Sequence, residues 1–418
     1  MIKKIKDIFI SLKKDSLYSN SIYLMLSTGI MAFFGFFFWI VNARLFTPEQ
    51  VGIATTLISV AGLIGGFSIL GLNMGLIKYL LHSDNKNSKI NSSFTINAIV
   101  SILITTIFLL GLNFFSPKLL FLNSNIFYIV SFIIFVMASS LSGLIDSVFI
   151  AYRSAKYTLL KNSVLSIIKL ILPIFLVAFS AYGIYASVGI ANVIAFIFSI
   201  ILLIRNFGYK FKLEVSIERV KKMAFFSFGN YVAGFIAGFP AMILPIIITN
   251  KISPQSTAYF YIAMMIANLI FIIPQATTQS LFAEGSHNEE EINDHIKKSI
   301  KIIALILIPT IIITLLLGKY VLLVFGKSYS SEAFTFLKLL AISSVFVASN
   351  SIFGTILRVK NKIKELIITS SINTVVVLSL SYLFIEWKLM GIGIAWIVGQ
   401  AVTSVAYLYL LKFKKNSN

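Results

Sequence analysis

The 418-residue chain contains no cysteine, which excludes disulfides, thiolate zinc sites and thiol catalysis together. Charge is also sparse: 12% of residues are charged, and 15 of them are acidic. The three histidines, His82, His287 and His295, fall in polar breaks without a spacing that would ligate a metal. No glycine-rich nucleotide loop is present. Cofactor chemistry, metal chemistry and ATP hydrolysis therefore find no residues to carry them. Work done by such a chain must draw on an ion gradient, on consumption of a product on the far side, or on both.

Apolar residues, in contrast, make up 58% of the sequence, against roughly 45–50% in an ordinary globular domain. A soluble fold cannot hide that much apolar surface, whereas a bilayer accepts it in helices of about 20 residues. Apolar runs and their polar breaks predict twelve spans: 18–41, 53–80, 94–113, 126–150, 162–181, 184–205, 224–248, 257–282, 299–318, 333–356, 365–385 and 391–411. Helices satisfy every backbone group inside lipid, and runs this long do not suit barrel strands. The first segment is far longer than a signal-peptide core and reads as a retained helix. The net charge of +20 comes in short clusters between apolar runs, a pattern of membrane topology, not of nucleic-acid binding.

Lysine and arginine also set the orientation. The two tails and the even-numbered loops, from Lys3 through Lys78, Lys161, the stretch 205–223 and Arg358 to Lys415, hold 27 of them. Arg44, Lys118, Lys251, Lys319, Lys327 and Lys388 are the six on the opposite side. This imbalance predicts an inner-membrane protein with both termini in the cytoplasm.

The halves resemble each other. Ser139, Ser140, Asp146, Ser147 and Phe149 match Ser343, Ser344, Asn350, Ser351 and Phe353 at an offset of 204. Thr47-Pro48 matches Ser253-Pro254 at 206, and Gly183, Ile184, Val188, Gly189 and Ala191 match Gly393, Ile394, Val398, Gly399 and Ala401 at 210. Six spans per half make the repeat parallel. The expectation is an all-α protein of two six-helix bundles, 1–204 and 224–418, around a central cavity, with 205–223 as a basic cytoplasmic linker.

The stretch Asn42-Ala43-Arg44-Leu45-Phe46-Thr47-Pro48-Glu49-Gln50-Val51-Gly52 resembles the loop after the first helix of polysaccharide flippases. These belong to the multidrug/oligosaccharidyl-lipid/polysaccharide exporter superfamily. The segments Gly71-Leu72-Asn73, Ser253-Pro254 running into Ala258-Tyr259-Phe260, Val324 to Tyr329, and Met390 to Trp396 are similar to that family as well. The resemblance implies translocation of polyprenyl-diphosphate-linked oligosaccharide across the inner membrane for O-antigen, capsule or exopolysaccharide assembly, with a glycan polymerase as a possible partner. It also implies that the first, second, seventh and eighth helices line the cavity.

Three charged residues fall more than three residues inside predicted spans: Asp146, Lys169 and Lys338. Each costs about 2.5–3.5 kcal/mol at a helix centre and so calls for a reason. Asp146 and Lys169 lie nearly equidistant from the middle of loop 151–161, which predicts an ion pair between them. The pair either pins two helices or divides its labour, Asp146 exchanging a proton or cation and Lys169 holding a diphosphate. Each could instead snorkel to the surface. Tyr261, Asn268, Gln275 and Gln279, spaced by seven, seven and four, share one face of helix eight. That face offers sugar recognition or interhelical hydrogen bonds. Asn230, Asn73, Lys78 and Arg44 complete the candidate substrate contacts, with close packing and interface anchoring as their plainer roles. A cation-coupled multidrug exporter of the same superfamily is the alternative. A membrane glycan polymerase or ligase would need a larger outer loop than any present here.

Overall fold

The computed structural model describes residues 16–81, 83, 85–287, 292–360 and 362–413. The lysines of the first fifteen residues, His82, Glu289–Glu291, Lys414 and Lys415 lie outside these, as do the side chains of Arg219, Lys222 and Lys412. Among the described residues, twelve helices are long and apolar enough to cross a membrane. They are α1 Ser16–Leu45, α2 Pro48–Ile69, α3 Lys86–Leu110, α4 Ile126–Ala151, α5 Ala155–Phe175, α6 Ser180–Phe207, α7 Ile217–Lys251, α8 Pro254–His287, α9 Ile292–Leu323, α10 Phe334–Val359, α11 Ile363–Leu383 and α12 Lys388–Phe413. Among the described residues there is no β-strand. The protein is an all-α polytopic membrane protein.

The predicted second span is broken. Leu70 and Gly71 take positive φ values of 51° and 76°, so α2 stops at Ile69 and a short helix, Leu72–Tyr79, resumes after the bend. The chain groups into two compact units. One holds residues up to Phe46 and Leu57–Tyr231; the other holds Thr47–Thr56 and Val232 onward. The first turns of α2 thus belong with the second unit. A Cβ on Gly52 would stand 1.7 Å from the carbonyl oxygen of Pro254, a backbone approach that no side chain permits.

Both α2 and α8 start on proline at the first helical position, where its missing N–H costs nothing. A hydroxyl precedes each. Thr47 Oγ1 accepts from Gln50 N at 3.3 Å while Gln50 Oε1 accepts from Thr47 N at 3.0 Å, a reciprocal cap. Ser253 Oγ accepts from Ser256 N at 3.1 Å. The match at offset 206 is therefore a shared way of starting a helix.

The later helices repeat at a different spacing from the one read in the sequence. Helices α4, α5 and α6 begin at 126, 155 and 180, and α10, α11 and α12 begin at 334, 363 and 388, a constant 208. A 3-10 turn separates each last pair, Val177–Phe179 and Ile385–Trp387. Ser180 and Lys388 follow with φ, ψ of 51°, −135° and 51°, −136°. Three residues on, a Cβ at Gly183 would meet Leu176 O at 2.1 Å, and one at Gly391 would meet Phe384 O at 2.0 Å. The offsets of 204 and 210 are thus corrected to 208. A shift of four residues is about one helical turn and keeps a residue on the same face, which is why the serine pattern matched one turn out of place. The structural counterpart of Asp146 is Gly354, not Asn350, and that of Lys161 is Thr369.

Candidate functional site

Asp146 does not meet Lys169. Its Oδ2 lies 2.5 Å from Lys161 Nζ, with the lysine side chain 3% exposed. Lys161 Nζ also donates to the carbonyl of Ser142 at 2.8 Å. The physical reason is the length of the turn. Basic residues from 153 to 161 suggested a loop, but α5 already starts at Ala155, leaving Tyr152–Ser154 to reverse the chain. Asp146 is then about 7 Å below the end of α4 and Lys161 about 9 Å into α5, whereas Lys169 is about 21 Å in. Lys169 is half-buried, with its Nζ 5.7 Å from the centroid of Phe38 on α1.

In the second unit the matching region is hollow. Gly354, the counterpart of Asp146, is among the residues lining a cavity of about 580 Å³ between α8, α10 and α12, its own Cα facing the Tyr407 hydroxyl. Helix α8 presents Gln275 and Gln279 to it, α10 presents Asn350 and Arg358, and α12 presents Gln400 and Tyr407. The volume lies within the roughly 300–1,000 Å³ typical of small-molecule sites.

A hydrogen-bonded floor fixes the cavity's polarity. Asn350 Nδ2 donates to Gln400 Oε1 at 2.8 Å and to the Gln400 carbonyl at 3.0 Å, and Ser404 Oγ donates to Asn350 Oδ1 at 2.8 Å. These bonds set which end of each amide is donor and which is acceptor, with Gln400 Oε1 accepting and its Nε2 left as a further donor. Gln275 and Gln279 are exposed to the space, and Arg358 supplies its formal charge. Amides pair with hydroxyl and acetamido groups, while a guanidinium grips phosphate or carboxylate through two parallel bonds. The cavity is equipped for a polar ligand that is largely neutral and anionic at one point.

Helix α12 has a second use. Ala401, Val405 and Tyr409 line an apolar groove of about 720 Å³ together with Ile368 and Ile372 of α11. Gln400 and Ala401, adjacent in sequence, thus face a polar cavity and an apolar groove.

The remaining predicted contacts are dispersed. Of the helix-eight stripe, Gln275 and Gln279 reach the cavity. Asn268 is exposed and Tyr261 half-buried, both outside its lining. Seven residues return to the same face but climb about 10 Å, so the stripe is too tall for one site. Lys338 is half-buried, 4.9 Å from the Phe334 ring centroid. Lys78 is exposed, 5.4 Å from the Tyr79 ring, and Arg44 is exposed in the last turn of α1. Asn73 sits just past the bend at Gly71 with its Oδ1 buried and without a hydrogen bond. The side chain of Asn230 lies outside the described residues. Arg358 was missed because a basic residue near a helix end already has a topological explanation. Among the described residues, no cluster of three metal-ligating side chains occurs.

Comparison with known proteins bears on the family and the fold. A candidate O-antigen transporter of Shigella flexneri is 26% identical over 223 residues, which are 51% of this chain and 53% of that protein. The match thus spans about half the length of that curated relative. Among solved structures, the lipid II flippase MurJ in an inward closed conformation has a TM-score of 0.78 at 15% identity, over 94% of this chain and 87% of that one. An inward-facing MATE-family multidrug resistance transporter has a TM-score of 0.74 at 16% identity, over 96% of this chain and all of the other. At these identities the likeness is one of fold. A family model described as polysaccharide biosynthesis protein matches residues 41–334, well over half of the sequence, and the chain belongs to that family.

Proposed function

We propose that the protein is a flippase that moves polyprenyl-diphosphate-linked oligosaccharide units from the cytoplasmic to the outer face of the inner membrane by alternating access, with both termini in the cytoplasm. The observation that carries this reading is the pairing on α12 of a polar cavity with an apolar groove. The substrate has the same two-part chemistry. Its sugars match the amides of Gln275, Gln279 and Gln400, its diphosphate matches Arg358, and a stretch of its prenyl chain matches the groove of Ala401, Val405 and Ile368. The glycan would then pass to surface-polymer assembly, O-antigen, capsule or exopolysaccharide, where a polymerase is the natural next partner.

The fold is shared with multidrug exporters, so export of cationic compounds is the rival reading. Coupling to a cation would call for a free acid within the membrane, and Asp146 is already paired with Lys161. The test is to delete the gene and assay lipid-linked glycan for accessibility from the outer face. Repeat units trapped on the cytoplasmic side, and released by the intact gene but not by an Arg358→Met gene, support the reading. Unchanged glycan with reduced dye efflux would replace it with the exporter.

A further inference from the structure

The segment joining α6 to α7 is held tightly, and in an unusual pose. Gly208–Ser216 has no regular secondary structure, yet the first two turns of α3 bind it along their length. Tyr209 is 3% exposed and packs against Phe94 and Leu203, and its hydroxyl donates to Asn91 Oδ1 at 2.5 Å. Asn91 Nδ2 donates to the Lys210 carbonyl at 2.9 Å, while Lys212 N donates to Asn91 Oδ1 at 3.2 Å. Lys210 N donates to Asn87 Oδ1 at 3.4 Å and Ser216 N to Ser92 Oγ at 3.2 Å. Ser88 Oγ donates to the Glu214 carboxylate. One carboxamide reading the carbonyl of 210 and the N–H of 212 requires the two to point the same way, as they do in an extended chain.

An extended chain sends alternate side chains to one side. Here those are Phe211, Leu213 and Val215, exposed by 64%, 75% and 53%. A run of hydrogen bonds therefore fixes three large apolar groups outward, a patch that marks an interaction surface. Its level and surroundings say what covers it. The strap leaves the end of α6 within two residues and lies along residues 87–92, the opening of α3, so it sits where two membrane-crossing helices leave the hydrocarbon. It continues from an exposed apolar row on α6, Ile197, Ile201 and Ile204. Arg205, Lys210 and Lys212, all exposed, flank it.

We propose that this strap is a lipid anchor: Phe211, Leu213 and Val215 seat at the acyl boundary of the cytoplasmic leaflet while Arg205, Lys210 and Lys212 take anionic headgroups. Apolar insertion backed by basic residues is how interfacial segments bind anionic membranes. The inference rests on the orientation given above but not on the substrate.

The absence of native cysteine makes the test direct. Phe211→Cys, Leu213→Cys and Lys212→Cys variants of the full chain are each labelled with a nitroxide and reconstituted into phosphatidylethanolamine–phosphatidylglycerol vesicles or into phosphatidylcholine vesicles. Labels at 211 and 213 are expected to be accessible to oxygen and shielded from a water-soluble nickel reagent, and the label at 212 the reverse. Replacing Lys210 and Lys212 by glutamine in the Leu213→Cys chain should at least double nickel access in phosphatidylglycerol vesicles and change it little in phosphatidylcholine. Equal nickel access at 212 and 213 in vesicles would overturn the proposal. So would a label at 213 that is shielded to the same degree in detergent and lipid and is closed to oxygen, since protein would then be the cover. Either negative result leaves the glycan reading standing.

Discussion

Asp146 Oδ2 and Lys161 Nζ meet at 2.5 Å across the α4–α5 turn, and the lysine is almost wholly enclosed. Removing one member of a buried pair leaves the other charge without compensation, which typically costs about 3–5 kcal/mol. Lys161→Met should therefore lower the unfolding temperature sharply in detergent, and Asp146→Asn combined with Lys161→Met should recover much of the loss. Lys169→Met, half-buried beside Phe38, should cost far less. A double-mutant cycle by thermal unfolding measures the coupling, and additivity of the two single changes would show that the contact carries none.

The paired connectors make a prediction in two directions. Ser180 and Lys388 adopt positive φ without being glycine, a conformation worth about 1–3 kcal/mol of strain in a non-glycine residue. Ser180→Gly and Lys388→Gly should each stabilise by about 0.5–1 kcal/mol, after the extra freedom of glycine in the unfolded chain is counted. Gly183→Ala and Gly391→Ala press a methyl into a carbonyl oxygen and should destabilise by about 2–4 kcal/mol. Melting curves of the four variants decide it, and the two halves should respond alike.

In the cavity, polar contacts and charge should separate by kind. Gln275→Ala and Gln279→Ala, at exposed cavity positions, should leave the fold intact and reduce glycan translocation several-fold each. Arg358→Lys keeps the charge but loses the bidentate fork, so it should fall between wild type and Arg358→Met. Translocation assays in the deletion strain, normalised to protein in the membrane, give the order.

Tyr209 lies outside the membrane-crossing segments, and burial pushes its phenol up to about 12. An unfolded tyrosine loses its proton near pH 10. Between these values the folded chain holds a proton that the unfolded chain has released, so stability falls as pH rises from about 10 to about 12. Tyr209→Phe removes the hydrogen bond to Asn91, worth about 1 kcal/mol at neutral pH, and should flatten that alkaline decline. Unfolding measured on both sides of pH 10 should therefore show the gap between wild type and variant closing with pH. A gap that stays constant would remove the tyrosine from the alkaline behaviour.

The spans were legible because lipid leaves a chain few options: every backbone group must be satisfied within the segment that crosses. Within a span, the sequence resolves the face of a helix better than the height. Gln275 and Gln279, grouped by spacing, both line the cavity, while Asn268, grouped by the same spacing, lies about two turns away and outside it. The repeat was visible for the same reason, and its serine pattern was one turn out of register for the same reason. Lys161 and Arg358 were hidden by a rule that explains them equally well, since basic residues near helix ends serve topology whether or not they also turn inward.

The connectors Val177–Gly183 and Ile385–Gly391 share dihedral angles to within a degree at their strained residue, though a serine occupies one and a lysine the other. What the two halves inherited in common is a path for the backbone, and side chains have been free to change along it. One half carries a matched pair of charges at this level; the other carries glycine and threonine at the matching positions, with the glycine beside a polar cavity. Side chains along a repeated backbone path can thus serve charge pairing in one half and line a polar cavity in the other.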